Sequence, residues 1–190
     1  WEEARRSRPD LELRSGESFE YAGVEIRPLS FAGSTWQSRP QRVFALYGQP
    51  AGSGPFPAVL QIHGGTQTAY PANVAWFVQH GFACLSFDWT GPHLNRPDDE
   101  VTHWDGPVAW NFFGKSAQAD EDYLLRHVVL ACLAGIDALA AQPAVDAHRI
   151  GIQGVSWGGF IGWAVGGLDD RVKAIVPVYG VGSLARHEGG

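Results

Sequence analysis

The chain has 190 residues, 45% hydrophobic and 18% charged, with a net charge of −6. That is enough apolar material for one globular core, and an acidic balance without clustered Lys and Arg argues against nucleic acid as a partner. No apolar run reaches the roughly 20 residues that a membrane-crossing helix needs.

The chain opens on Trp1 and contains no Met. Its natural N-terminus is therefore expected upstream, which leaves the compartment and any removed leader open. Residues 1–40 read as an extension with a charged start and a strand at 23–28, and the main domain is expected over 41–190. Residues 42–47 alternate like a strand, and the Pro- and Gly-rich segment 48–55 is a turn. The apolar runs 57–62 and 82–87 predict buried strands on either side of a helix near 71–80 that Gly81 closes. Continuous apolar strands of this kind belong in a parallel sheet covered on both faces. Cys84 lies in one such strand and Cys132 in an apolar helix, so both are expected as packing residues. The seven histidines show no His-x-x-x-His spacing and the cysteines no Cys-x-x-Cys, so no metal site or cofactor is expected.

From Asp88 to Lys115 the periodicity disappears, and Trp89, Trp104, Trp110, Phe112 and Phe113 gather among Pro and Gly. A long loop after a strand's carboxyl end is where open α/β sheets bind ligands. Trp104 and Trp110 are therefore candidates for a substrate-pocket wall, with sealing of the sheet edge as the alternative. Ser116 is expected to cap the next helix, with Asp120, Glu121 and Asp122 in its first turns. Spacings of three and four through Leu125, Val128, Val129, Cys132, Ile136, Leu139 and Ala140 predict one apolar face. Pro143 stops that helix, a strand follows at 149–153, and another is expected at 174–179.

The chemistry lies at the end of the strand at 149–153. Gly154-Val155-Ser156-Trp157-Gly158 is a G-x-S-x-G string between a strand and small helix-compatible residues, the setting of a nucleophile elbow. Ser156 is the candidate nucleophile. The string alone is weak in a chain with 24 glycines, but His63-Gly64-Gly65 follows the strand at 57–62. A turn of that composition can aim backbone N–H groups at a substrate carbonyl. Gly64, Gly65 and Trp157 are thus candidate oxyanion-hole donors, and His63 is expected beside the pocket as a turn residue and not as the general base.

These two motifs, with the stretch Val145–Gly159 and the segment Asp169-Asp170-Arg171-Val172-Lys173-Ala174-Ile175-Val176-Pro177-Val178-Tyr179-Gly180, resemble the acetylxylan esterase and prolyl-oligopeptidase-like, dienelactone-hydrolase-related branch of the α/β-hydrolases. The resemblance covers about residues 42–184. It implies an α/β-hydrolase fold, a mostly parallel sheet with helices on both faces. It also implies a cofactor-free serine esterase acting on small-molecule or carbohydrate acetyl esters.

In that fold the triad acid and histidine follow two further strands beyond 174–179. After Ser156 the chain offers only Asp169, Asp170, Glu188 and His187, none of which has the expected position. The chain therefore reads as the N-terminal portion of a longer hydrolase, truncated before the last strands and inactive when isolated. A peptidase of the same branch and a non-catalytic binding module remain as alternatives.

Overall fold

The middle of the sheet is formed by β5 (Phe56–Ile62) and β6 (Ala83–Phe87), whose apolar runs are buried on both faces, with β7 (Val145–Val155) beside β5, burying Ile150, Ile152 and Gly154. The computed structural model describes residues 10–91, 100–104 and 122–180. The other strands are β1 (Arg14–Ser15), β2 (Phe19–Tyr21), β3 (Val24–Trp36), β4 (Arg39–Gly48) and β8 (Val172–Val178). The helices are α1 (Pro71–Gln79), α2 (Leu124–Ala140) and α3 (Trp157–Gly166).

The sheet has the order β1-β3-β4-β6-β5-β7-β8, with β2 paired to β3. The strands β6, β5, β7 and β8 are mutually parallel, whereas β4 joins β6 antiparallel and the β3–β4 hairpin extends that half. The parallel character expected from the apolar runs thus holds for one half of the sheet. The hairpin crosses residue 40, so the segments before and after it share one sheet.

From β5 the chain crosses to β6 on one side, and from β6 it returns across β5 to β7 on the other. The carboxyl ends of β5 and β7 therefore flank the point where the winding reverses. A crevice opens at such a point in an open α/β sheet, because the connections leave in opposite directions.

Each face of the sheet carries its own core. On one, Val74, Ala75 and Val78 of α1 pack with Val24, Ile26, Phe44, Leu46 and Cys84. On the other, α2 and α3 cover Phe31, Leu60, Ile62, Leu85, Ile150 and Ile152. Cys84 and Cys132 are both free and buried, and desolvation holds both thiols well above their ordinary pKa.

Helix α2 departs from expectation in two ways. It begins at Leu124, so Asp122 precedes the helix and accepts a hydrogen bond from Trp36 Nε1 at 3.1 Å. The proposed cap Ser116, with Asp120 and Glu121, lies outside the described residues. Thirteen of its 17 residues are buried instead of one face, because α3 packs on it as well as the sheet. A helix apolar nearly all round is what such a two-sided position requires.

The segment before β8 is tied to α2 by charge. Arg171 donates from Nε and Nη2 to the two carboxylate oxygens of Asp169 at 2.9 and 2.6 Å, and from Nη2 to Asp137 at 2.6 Å. Asp169 is therefore a structural acid. The bidentate geometry is the strong form of such a pair, and these bonds hold the Arg171 guanidinium above its usual pKa. Beyond β7, strand β8 has no second neighbour among the described residues, and Val176 and Tyr179 are 55% and 91% exposed.

Replacing Arg171 by Ala leaves the buried Asp169 carboxylate without its cation, and we expect a loss of about 2 kcal/mol. Thermal denaturation should show the melting temperature falling by about 4–8 °C. An unchanged melting temperature in Arg171→Ala would show that the Asp169–Arg171–Asp137 bridge contributes nothing.

Candidate active site

Ser156 connects β7 to α3 with φ 53° and ψ −115°, a backbone conformation that costs a non-glycine residue about 1–3 kcal/mol. Sheet and helix hold it there. The Ser156 N–H donates to the Val178 carbonyl at 2.7 Å, and the Ser156 carbonyl accepts from Gly159 N and Phe160 N at 2.9 and 3.2 Å. The side chain is exposed. The flanking glycines answer to close approach: a Cβ on Gly154 would strike the Gly158 carbonyl, and one on Gly158 would strike the carbonyls of Ile62 and His63.

The elbow thus rests directly on the end of β5, which carries His63-Gly64-Gly65. A Cβ built on Gly64 would stand 3.5 Å from Ser156 Cβ, and one on Gly65 would stand 2.9 Å from Trp157 Cδ1. Structure therefore brings Ser156, Gly64, Gly65 and Trp157 together at the switch point. The two glycine amides differ. Gly64 N–H donates to Gln67 Oε1 at 2.8 Å, whereas Gly65 N–H has no hydrogen-bond partner among the described residues.

His63 lies beneath this turn, 1% exposed. Its Nδ1 stands 2.7 Å from the Gly64 carbonyl, and a carbonyl only accepts, so Nδ1 carries the proton. Its Nε2 accepts from the Trp89 N–H at 3.1 Å, and Trp89 Nε1 donates to the His63 carbonyl at 2.9 Å. The two rings stack, 5.3 Å between centroids and 11° from parallel. Asp88 Oδ1 is 3.5 Å from His63 Nε2. With that nitrogen acting as an acceptor, the contact is one of packing rather than an ion pair.

Asp88 is a buried carboxylate held by neutral donors. Oδ2 accepts from Thr102 N at 2.8 Å, and Oδ1 from Thr90 N and Oγ1 at 3.3 and 3.2 Å. The Thr102 hydroxyl bridges the Asp88 carbonyl and the Phe44 N–H, donating to the first and accepting from the second at 2.9 Å. Trp104 is 7% exposed and its Nε1 donates to the Trp89 carbonyl at 2.9 Å. Trp89 and Trp104 are therefore both buried in the core below the turn. Trp110, the other aromatic candidate for the pocket wall, lies outside the described residues, as does His187.

Sequence reasoning did not single out Gln67, Asp88 or Thr102. Asp88 carried a usable signal, an acid directly after a buried strand of which four of five residues are apolar, whereas nothing in the local pattern marks Gln67 or Thr102. Among the described residues no group of His, Cys, Asp and Glu is arranged to hold a metal ion.

The sequence model of the acetyl xylan esterase (AXE1) family matches residues 1–184. The acetyl esterase Axe7A of Xylanibacter ruminicola is 30% identical over 142 residues, 71% of this chain and 32% of that protein. Among solved structures, acetyl xylan esterase 1 from Thermoanaerobacterium sp. JW/SL YS485 superposes with a TM-score of 0.73 at 26% identity, covering 94% of this chain and 57% of that one. The acetyl xylan esterase from Paenibacillus sp. R4 superposes at 0.76 with 24% identity, covering 98% and 58%. The chain thus spans about a third of the curated relative and somewhat over half of the two solved ones. Its elbow, its H-G-G turn and its α/β-hydrolase fold are accounted for together: the chain belongs to the acetyl xylan esterase family.

Proposed function

We propose that the protein carrying this chain is a serine esterase that removes acetyl groups from carbohydrate esters through an acyl-enzyme on Ser156. The observation that carries this reading is the exposed Ser156, held at φ 53° against the H-G-G turn, whose Gly65 N–H has no hydrogen-bond partner among the described residues. Family membership and the acetyl esterase relatives support an ester over an amide as the scissile bond.

In the proposed reaction the Ser156 hydroxyl loses its proton to a histidine base and its oxygen attacks the acetyl carbonyl. The base and the acid that orients it are assigned to residues outside those described. The oxyanion is received by the Gly65 N–H and the Trp157 N–H, the first turn of α3 adding its positive end. Gly64 is not assigned as a donor, its amide being committed to Gln67. As the tetrahedral species collapses, the protonated histidine gives its proton to the leaving sugar oxygen; water, deprotonated by the same histidine, then attacks the acetyl-serine, releasing acetate and restoring the Ser156 hydroxyl. No cofactor takes part. Trp104, whose Nε1 donates to the Trp89 carbonyl, is assigned to the floor of the acyl pocket.

A fluorophosphonate should label Ser156 in the full-length protein, as read by mass spectrometry of its peptides. Ser156→Ala should lower kcat on an acetyl ester by roughly 10⁴-fold or more. Labelling at another residue, or undiminished turnover by Ser156→Ala, would contradict the reading. Because Ser156 stores backbone strain, Ser156→Gly should be inactive yet more stable than the parent by about 1 kcal/mol in denaturant titration. A Ser156→Gly protein less stable than the parent would show that the elbow is not strained.

A further inference from the structure

We infer that His63 is a positioning residue for the esterase reaction, aiming the Gly65 N–H at the oxyanion through its hydrogen bond to the Gly64 carbonyl. The inference rests on the reading of Gly65 as an oxyanion donor.

The Gly64 carbonyl and the Gly65 N–H belong to the same planar amide and point in opposite directions. Whatever fixes the carbonyl therefore fixes the N–H. With glycine on both sides no Cβ opposes rotation of this amide, and a flip would present a carbonyl lone pair to the developing alkoxide in place of a donor. The bond from His63 Nδ1 to Gly64 O, 2.7 Å long and buried, opposes that flip.

The neighbouring bonds hold the peptides on both sides. Gly64 N–H is held by Gln67 Oε1 at 2.8 Å, and the Gly65 carbonyl accepts from Thr66 Oγ1 at 2.6 Å. The middle amide depends on His63 alone among the described residues. Trp89 immobilises both the ring and the backbone of His63. Trp89 stacks on its face at 5.3 Å, the Trp89 N–H reaches Nε2, and the Trp89 indole N–H holds the His63 carbonyl. Because Nε2 is an acceptor for a backbone N–H, the proton is confined to Nδ1, the nitrogen that the Gly64 carbonyl needs.

Asp88 completes the chain of support by tying the backbone of Asp88–Thr90 to Thr102 and Phe44. This fixes the Trp89 N–H that sets the tautomer. With both ring nitrogens committed, His63 is not the base that deprotonates Ser156. Its burial at 1% exposure also keeps it from contact with substrate.

The test compares two replacements in the full-length protein. His63→Phe keeps a ring to stack on Trp89 and removes the donor. His63→Asn loses the ring and retains an N–H at about the position of Nδ1. With an acetyl ester as substrate, His63→Phe should lose roughly 10- to 100-fold in kcat with KM changed by less than about twofold, since a misaimed donor acts on the transition state. His63→Asn should recover kcat to within about threefold of the parent while melting at a lower temperature than His63→Phe.

Activity then follows the N–H and stability follows the ring, a crossing that a purely structural histidine would not produce. The inference is overturned if His63→Phe keeps kcat within about twofold of the parent, or if kcat and melting temperature fall together across the two variants. Should His63→Phe fail to fold, a loss beyond about tenfold in His63→Asn overturns it by itself. Ser156→Ala, assayed alongside, separates the two claims: full turnover there removes the esterase mechanism at Ser156 and this inference with it, whereas an inactive Ser156→Ala beside a fully active His63→Phe removes only the role of His63.

Discussion

The whole arrangement depends on one contact between main chains. The Gly158 Cα lies against the carbonyls of Ile62 and His63, so close that a Cβ on Gly158 would collide with both. This contact joins the end of β5 to the start of α3 and thereby sets the separation between Ser156 and the H-G-G turn. Since it is made by backbone, neither element can slide without disturbing sheet hydrogen bonds. The register of β5 against β7, with Ile62 opposite Gly154, holds the two ends level.

Strain at Ser156 follows from the same closeness. A chain that must turn from strand to helix within one residue, while passing over the end of a neighbouring strand, has no relaxed conformation for the residue at the corner. Its cost is offset by the bonds to Val178 on one side and to Gly159 and Phe160 on the other. The strand β8 therefore supports Ser156 directly, and Arg171 supports β8 by anchoring its entry to Asp137 of α2. The Arg171 ion pairs and the strained corner at Ser156 are thus connected through β8.

The fold was legible where burial writes a simple pattern. The continuous apolar runs in β5 and β6 fit strands covered on both faces, and Gly81, at φ +86°, stops α1 as glycine does. The antiparallel half of the sheet was less visible, because β3 and β4 are long and twisted, and β3 is broken by a bulge between Ala32 and Ser34. The start of α2 was misplaced because the acids at 120–122 mimic a helix N-terminus, whereas Asp122 is turned inward to Trp36. At the site, the G-x-S-x-G and H-G-G strings reveal glycine positions, and glycines mark close approach. The supporting network was hidden because Gln67, Asp88 and Thr102 act through backbone groups of residues up to 58 positions apart, for which no local spacing exists. The tautomer of His63 is likewise a property of two bonds made in three dimensions.

The account turns on two backbone amides facing one oxygen, and the phosphonylated protein reads this directly. A crystal structure of the full-length protein after reaction with a fluorophosphonate should show phosphorus bonded to Ser156 Oγ. One phosphonyl oxygen should lie about 2.7–3.1 Å from both Gly65 N and Trp157 N, with Gly64 N still bonded to Gln67. A phosphonyl oxygen turned toward solvent, or held by Gly64 N in place of Gly65 N, would contradict the oxyanion site described for this turn.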